Sequence, residues 1–220
     1  VNKRQRTAFF YHWLKIFHTT LPNLEILLKH KYIIEKSGID DNTLSLLKTI
    51  FSHYDKYKIL CATRVTVGNS GSEGTNQWFQ EKWFEKYDKP LGYKKGNRFL
   101  VGDPVIINSN DYNLHLYNGD TGIILNILSS SGSKNHPGEP MAVFPKGDSY
   151  KAYPLQALQG RLELAWAITV HKAQGSEYEN IAIILPNKFI RTLTRQLLYT
   201  AVTRAKKSAI IIGPEEILNA

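Results

Sequence analysis

The stretch AITVHKAQGSEYENIAIILP, Ala167 to Pro186, sets a string of small and polar residues between two apolar runs, and a hydrophobic core has no use for such a string. The run LAWAITV that leads into it is apolar on both faces, the pattern of a central strand in a parallel sheet. HKAQGSEY then falls at the carboxyl end of that strand, where open α/β sheets bind their ligands. The residue types suit such a place. Gly175 lets a backbone approach a phosphate closely, Glu177 can accept from a sugar hydroxyl, and Thr169 and His171 offer uncharged donors to a nucleic-acid backbone. Each residue also has a plainer role when taken alone: a turn glycine, a helix-start glutamate, a capped histidine.

The chain around this string has the composition of a globular protein. Its 220 residues, 42% hydrophobic, suffice for one sizeable core or two small ones. The apolar runs fall far short of the roughly 20 residues of a membrane span, and VNKRQRTAFFYHW at the N-terminus lacks a signal peptide's cleavage site. A cytoplasmic location is expected. The single Cys61 excludes an internal disulfide and a multi-cysteine zinc site, and the seven histidines show no ligand spacing. With 28 Lys+Arg against 19 Asp+Glu the formal charge is +9, which favours a polyanionic partner. Lys188, Arg191, Arg195, Arg204, Lys206 and Lys207 lie in a run from Pro186 to Lys207 that contains no acid.

Residues 1 to about 55 read as mostly helical packing elements, with TLPNLEILLKHKYIIEK as one helix and DDNTLSLLKTIFSHY as another, capped by Asp41 or Asn42. KYKILCATR reads as a short buried strand that runs through the glycine- and serine-rich VTVGNSGSEGT into a helix at NQWFQEKWFEKY, a layout common at phosphate sites. From Tyr93 to about Gly160 the pattern changes to short strands, DPVIIN, TGIILNIL, MAVF and SYKAYP, which predict a small β-barrel insert. Asn118-Gly119 is a tight-turn signal.

A second string, TLTRQLLYTAVTRAKKSAIIIG, carries a helical stripe of Leu197, Leu198, Ala201, Val202 and Ala205, with Arg195 and Arg204 on its opposite flanks. Arginines with packed stems and outward heads suit the charge that develops on a transferring phosphoryl group. Surface arginines snorkelling from an amphipathic helix give the same pattern.

Together, TVHKAQGSEY and LLYTAVTRAK resemble motifs V and VI of superfamily 1 helicases. ILCATRVTVGNSGSEGTNQWFQ resembles motif IV as it occurs in the RecD family, the alpha subunits of exodeoxyribonuclease V, and GDPVIINSNDYNLHLYNGDTGIIL is similar to the barrel insert of that family. The resemblance covers roughly Lys58 to Ala220. It implies a RecA-like second motor domain over 56–92 and 161–220, a parallel sheet with flanking helices, with an SH3-like barrel inserted over 93–160 and a helical lead-in over 1–55. It further implies an ATP-dependent DNA helicase moving 5′ to 3′, acting in double-strand-break repair and recombination beside the beta and gamma subunits, RecB and RecC. Carried over by residue, Arg204 is the arginine finger and Arg195 a second phosphate-side arginine. Gly175, Glu177 and Arg64 face the nucleotide. Thr169, His171, Lys172 and Gln174 contact single-stranded DNA.

The sequence contains no G-x-x-x-x-G-K-[ST] segment and no convincing strand ending in Asp-Glu for magnesium. The chain therefore reads as a C-terminal fragment lacking its own N-terminal motor domain. ATP and Mg²⁺ are expected in the full-length protein and neither with the fragment, which alone is expected to be inactive. A superfamily 1 RNA helicase fragment and a non-catalytic module docking nucleic acid or subunits remain as other readings.

Overall fold

The computed structural model describes residues 3–35, 38–66, 70–86, 98–128 and 138–218. In chain order the elements are α1 Lys3–Thr19, α2 Leu24–Lys29, β1 Lys31–Tyr32, α3 Asp41–Tyr54, β2 Tyr57–Cys61, α4 Ser72–Lys86, β3 Pro104–Ile107, β4 Thr121–Ile127, β5 Glu139–Lys146 and β6 Ser149–Pro154. They continue as β7 Leu162–Leu164, β8 Ala167–Thr169, β9 Tyr178–Ile184, α5 Arg195–Val202, β10 Ala205–Ile212 and α6 Glu215–Leu218. Tyr93, the expected start of the insert, and Ser129–Pro137 of its longest connection lie outside the described residues. None of the described helices is long and apolar enough to cross a membrane.

Two compact units result. One comprises Val1–Leu21, His53–Phe79 and Trp166–Ala220, the other Pro22–Ser52 and Gln80–Ala165. The expected boundaries fell instead at 56, 93 and 161, with all of 1–55 assigned to the motor domain. Pro22–Ser52 join the second unit because Lys31 and Tyr32 pair in parallel with Asn126 and Ile127 of β4, which no local pattern announces.

The first unit is a parallel sheet in the order β10-β9-β2-β8 with helices packed against it, which fits the RecA-like architecture expected from the sequence. Its strands read as continuous apolar runs because both faces of β2, β8 and most of β9 are covered. The cover is aromatic: Phe17 of α1 meets Trp166 at 5.6 Å between centroids, and Phe79 of α4 stacks on the same indole at 5.9 Å. LAWAITV is buried as expected, but β8 is an edge strand and not a central one. Its open edge is closed by a side chain, as described below.

The second unit holds an antiparallel sheet in the order β6-β5-β4-β3-β7, around a core of Phe99, Val105, Ile107, Leu116, Ile124, Phe144 and Leu162. The four predicted strands are all present. Among the described residues the pairings form a path and not a closed ring. Asn118-Gly119 does not join two strands directly. Asp120 N donates to Tyr117 O at 2.9 Å, and of the pair Gly119 alone, at φ +99°, takes the left-handed conformation, inside a longer connection from β3 to β4.

Two helix boundaries differ from the sequence reading. TLPNLEILLKHKYIIEK stops being helical at Lys29, because His30 is extended (ψ 142°) and the next two residues are drawn into the sheet. Asp40, not Asp41 or Asn42, caps α3: its Oδ1 accepts from Thr43 N at 2.9 Å.

Gly102 sits at φ +91°, and a Cβ there would drive into the Trp83 ring, whose Nε1 donates to Val101 O at 3.0 Å. Gly102→Ala adds backbone strain to overpacking of a fully buried indole. A loss on the order of 3 kcal/mol is expected in denaturant unfolding; a loss below about 0.5 kcal/mol would show that this corner yields.

Candidate functional site

The motor-like sheet has two ends, and the residues singled out from the sequence divide between them. Cys61 aligns with Thr169 on one side and with Ile184 on the other, so β2, β8 and β9 finish at a common carboxyl edge. Val170 N donates to Cys61 O at 3.0 Å, and the chain then winds into a single compact turn. Ala173 N donates to Thr169 O at 3.2 Å, Gln174 N to His171 O at 3.2 Å and Ser176 N to Ala173 O at 3.1 Å. Val170 and Ala173 are buried and root the turn, while His171 and Gln174 are exposed and Thr169 and Lys172 half-buried. The Thr169 hydroxyl accepts from Lys172 N at 3.4 Å, which leaves its own O–H to donate outward.

Gly175 closes the turn at φ +83° with nothing within 4 Å of the position a Cβ would take. Conformation, not space, requires glycine there. Ser176 and Glu177 then carry the chain back to the start of β9, six residues before Ile184 and so about 20 Å from the carboxyl edge. At that amino end Tyr178 N donates to Arg204 O at 2.9 Å. The Arg204 guanidinium reaches three oxygens, each at 3.3 Å: Nε donates to Thr200 O, Nη1 to Ser176 O and Nη2 to the Thr203 hydroxyl. Glu177 faces Lys206 at 3.5 Å, both exposed. Beneath them burial pushes the Tyr178 hydroxyl up to about 12 and lowers the Lys58 ammonium from its ordinary value. Lys58 Nζ lies 5.4 Å from the Tyr178 ring centroid.

Gly175, Glu177 and Arg204 are thus brought together. Arg195 is not with them. Helix α5 ends at Val202, so Arg204 follows the helix and does not flank it as expected. Arg195 opens the helix at the carboxyl edge, about 10 Å along its axis from Val202. Of the expected stripe, Leu197 and Ala201 are buried, Val202 is exposed and Ala205 already belongs to β10. Arg64 is also exposed at the carboxyl edge, just beyond β2. Its carbonyl and that of Thr63 accept from Glu73 N and Ser72 N at 3.0 Å, so the first N–H groups of α4 are spent within the fold and not held for a phosphate.

Sequence reasoning missed Asn76. This helical residue, 7% exposed, donates from Nδ2 to Ala167 O at 2.9 Å and accepts at Oδ1 from Ala167 N at 2.7 Å. It stands in for the neighbouring strand that β8 lacks and fixes the segment bearing Thr169 and His171. An asparagine inside a helix, just ahead of the Trp78–Phe79 pair, was the available signal.

The parallel sheet order brings Arg204 onto the turn, and within this unit residues 164–212 match the UvrD-like helicase C-terminal domain. More particularly, the chain is similar to RecBCD enzyme subunit RecD, as the sequence motifs indicated. It is 32% identical over 197 residues to RecD of Mycolicibacterium smegmatis, covering 87% of this chain and 30% of that protein. To RecD of Buchnera aphidicola subsp. Schizaphis graminum it is 33% identical over 219 residues, covering 96% of this chain and 33% of that protein. The chain thus spans about a third of the length of these relatives. The crystal structure of Pif1 helicase from Candida albicans aligns with a TM-score of 0.44 at 14% identity, over 93% of this chain and 56% of that one.

Proposed function

We propose that this chain is the second motor portion of an ATP-dependent DNA helicase of the RecD type. In this reading the full-length polypeptide moves 5′ to 3′ along single-stranded DNA and serves double-strand-break repair and recombination in the cytoplasm as a partner of RecB and RecC. Its antiparallel sheet corresponds to the SH3-like barrel of that family. The observation that carries the reading is the guanidinium of Arg204 fastened to the Ser176 carbonyl beside Gly175 and Glu177. Arginine in that position can neutralise charge developing on a transferring phosphoryl group. ATP with Mg²⁺, when bound, supplies that group, and its P-loop partner comes from the N-terminal motor domain. Gly175 and Glu177 form the near wall of the nucleotide site, while Thr169 and His171 hold the nucleic acid at the other end of the same turn.

That division is testable in the full-length polypeptide. Thr169→Ala with His171→Ala should weaken single-strand binding and DNA-stimulated ATPase while hydrolysis without DNA persists. Glu177→Ala should raise the KM for ATP and leave DNA affinity nearly constant. Were the Thr169 and His171 changes to move only the ATP KM, or the Glu177 change only DNA affinity, the two ends would be assigned the wrong way round.

A further inference from the structure

The carboxyl edge of the parallel sheet extends beyond the turn at Thr169. Ile184, two strands from Thr169 and about 10 Å away, ends β9 on this edge. The chain that follows, Leu185–Thr194, is held in place. Asn187 Oδ1 accepts from Arg6 Nη1 at 3.3 Å, Leu193 N donates to Ile190 O at 3.0 Å, and the Thr194 hydroxyl caps α5 by accepting from Leu197 N at 3.1 Å. Phe189 stands out from this connection with 61% of its surface exposed. It borders a cavity of about 250 Å³ floored by Leu185, Leu193, Leu198 and Ile217 and rimmed by Arg195.

Lys188, Arg191 and Arg195 are all exposed, and among the described residues none of the three makes an ion pair; even Glu215 and Glu216 of α6 leave them unmatched. An exposed ring amid unpaired cations is the composition of a single-strand platform, where a base stacks and the flanking phosphates are neutralised. We propose that Phe189 is a base-stacking residue and that Arg191 and Arg195 are phosphate contacts, so that the single strand passes from Thr169 and His171 across β2 onto this connection. This rests on the helicase reading above and moves Arg195 from the nucleotide to the nucleic acid. An acidic peptide would satisfy the cations but gives no reason for an exposed ring among them.

The test uses the full-length polypeptide and two probes, a dT15 oligonucleotide and its abasic counterpart, titrated by fluorescence anisotropy over a range of salt. Phe189→Ala should lower affinity for dT15 about tenfold or more and leave the abasic strand unaffected, while Phe189→Tyr should bind like the parent. Arg191→Gln and Arg195→Gln should each flatten the slope of log K against log salt by about 0.7. If Phe189→Ala binds dT15 normally while the Thr169/His171 double variant does not, the strand leaves the edge elsewhere, and the proposal is overturned with the helicase reading intact. If the parent binds neither probe, the helicase reading fails and takes the proposal with it.

Discussion

Arg204→Ala in the full-length polypeptide should lower kcat for ATP hydrolysis by about 10³ or more, with far less change in ATP binding. The geometry gives the reason for so large an effect. Tyr178 N fixes the backbone of Arg204 through its carbonyl, and the guanidinium is fixed at Nε and both terminal nitrogens by Thr200, Ser176 and Thr203. A cation oriented in advance by the fold costs no reorganisation when charge develops beside it. Arg204→Lys should rescue poorly, because an ammonium cannot keep both the forked contact to Ser176 and Thr203 and an outward face. Single-turnover hydrolysis at saturating enzyme reports the chemical step, and an equilibrium titration of ATP reports binding, so the two effects separate. A variant with near-normal kcat would return Arg204 to the surface arginines that merely close a turn.

The same contacts show how far the sequence could be read. Leu197 and Ala201 were recognisable as a buried helical face, since their spacing is set by the helix itself. The end of that helix at Val202 was not recognisable, because AVTRAK has neither glycine nor proline to mark a stop. Parallel pairing of Ala205 with Tyr178 decides it, across 27 residues of chain. Pairing of this kind also explains the other differences. β8 has the composition of a central strand, yet it lies at an edge, because helix α4 covers it and Asn76 completes its hydrogen bonding. Lys31 and Tyr32 continue an apolar helical pattern but are claimed by β4. Arg64 and Arg195 share residue type and family motif with a nucleotide contact, whereas Arg64 follows the end of β2 and Arg195 lies by Leu185 past the end of β9, at the edge opposite Arg204. Periodicity speaks for elements, and only register says which end of the sheet a residue occupies.

Asn76→Ala tests the missed residue on the chain itself and should cost about 2–4 kcal/mol in denaturant unfolding. Truncation leaves the N–H and C=O of Ala167 without partners at a site that is 1% exposed, and each orphaned backbone group carries roughly 1–3 kcal/mol of desolvation. Asn76→Asp should be no better. A carboxylate can still accept from Ala167 N, but it has no donor for Ala167 O and sets two oxygens against each other in a buried place. The functional consequence separates this residue from an ordinary packing position. Ala167 lies two residues before Thr169, so a loosened β8 shifts the turn that carries Thr169, His171 and Gly175. Single-strand affinity should therefore fall in the full-length Asn76→Ala variant, although Asn76 is itself enclosed between α4 and β8. The slope of affinity against salt should stay constant, because no phosphate contact is removed. A stability loss under about 0.5 kcal/mol would mean that the edge of β8 can satisfy itself without the asparagine.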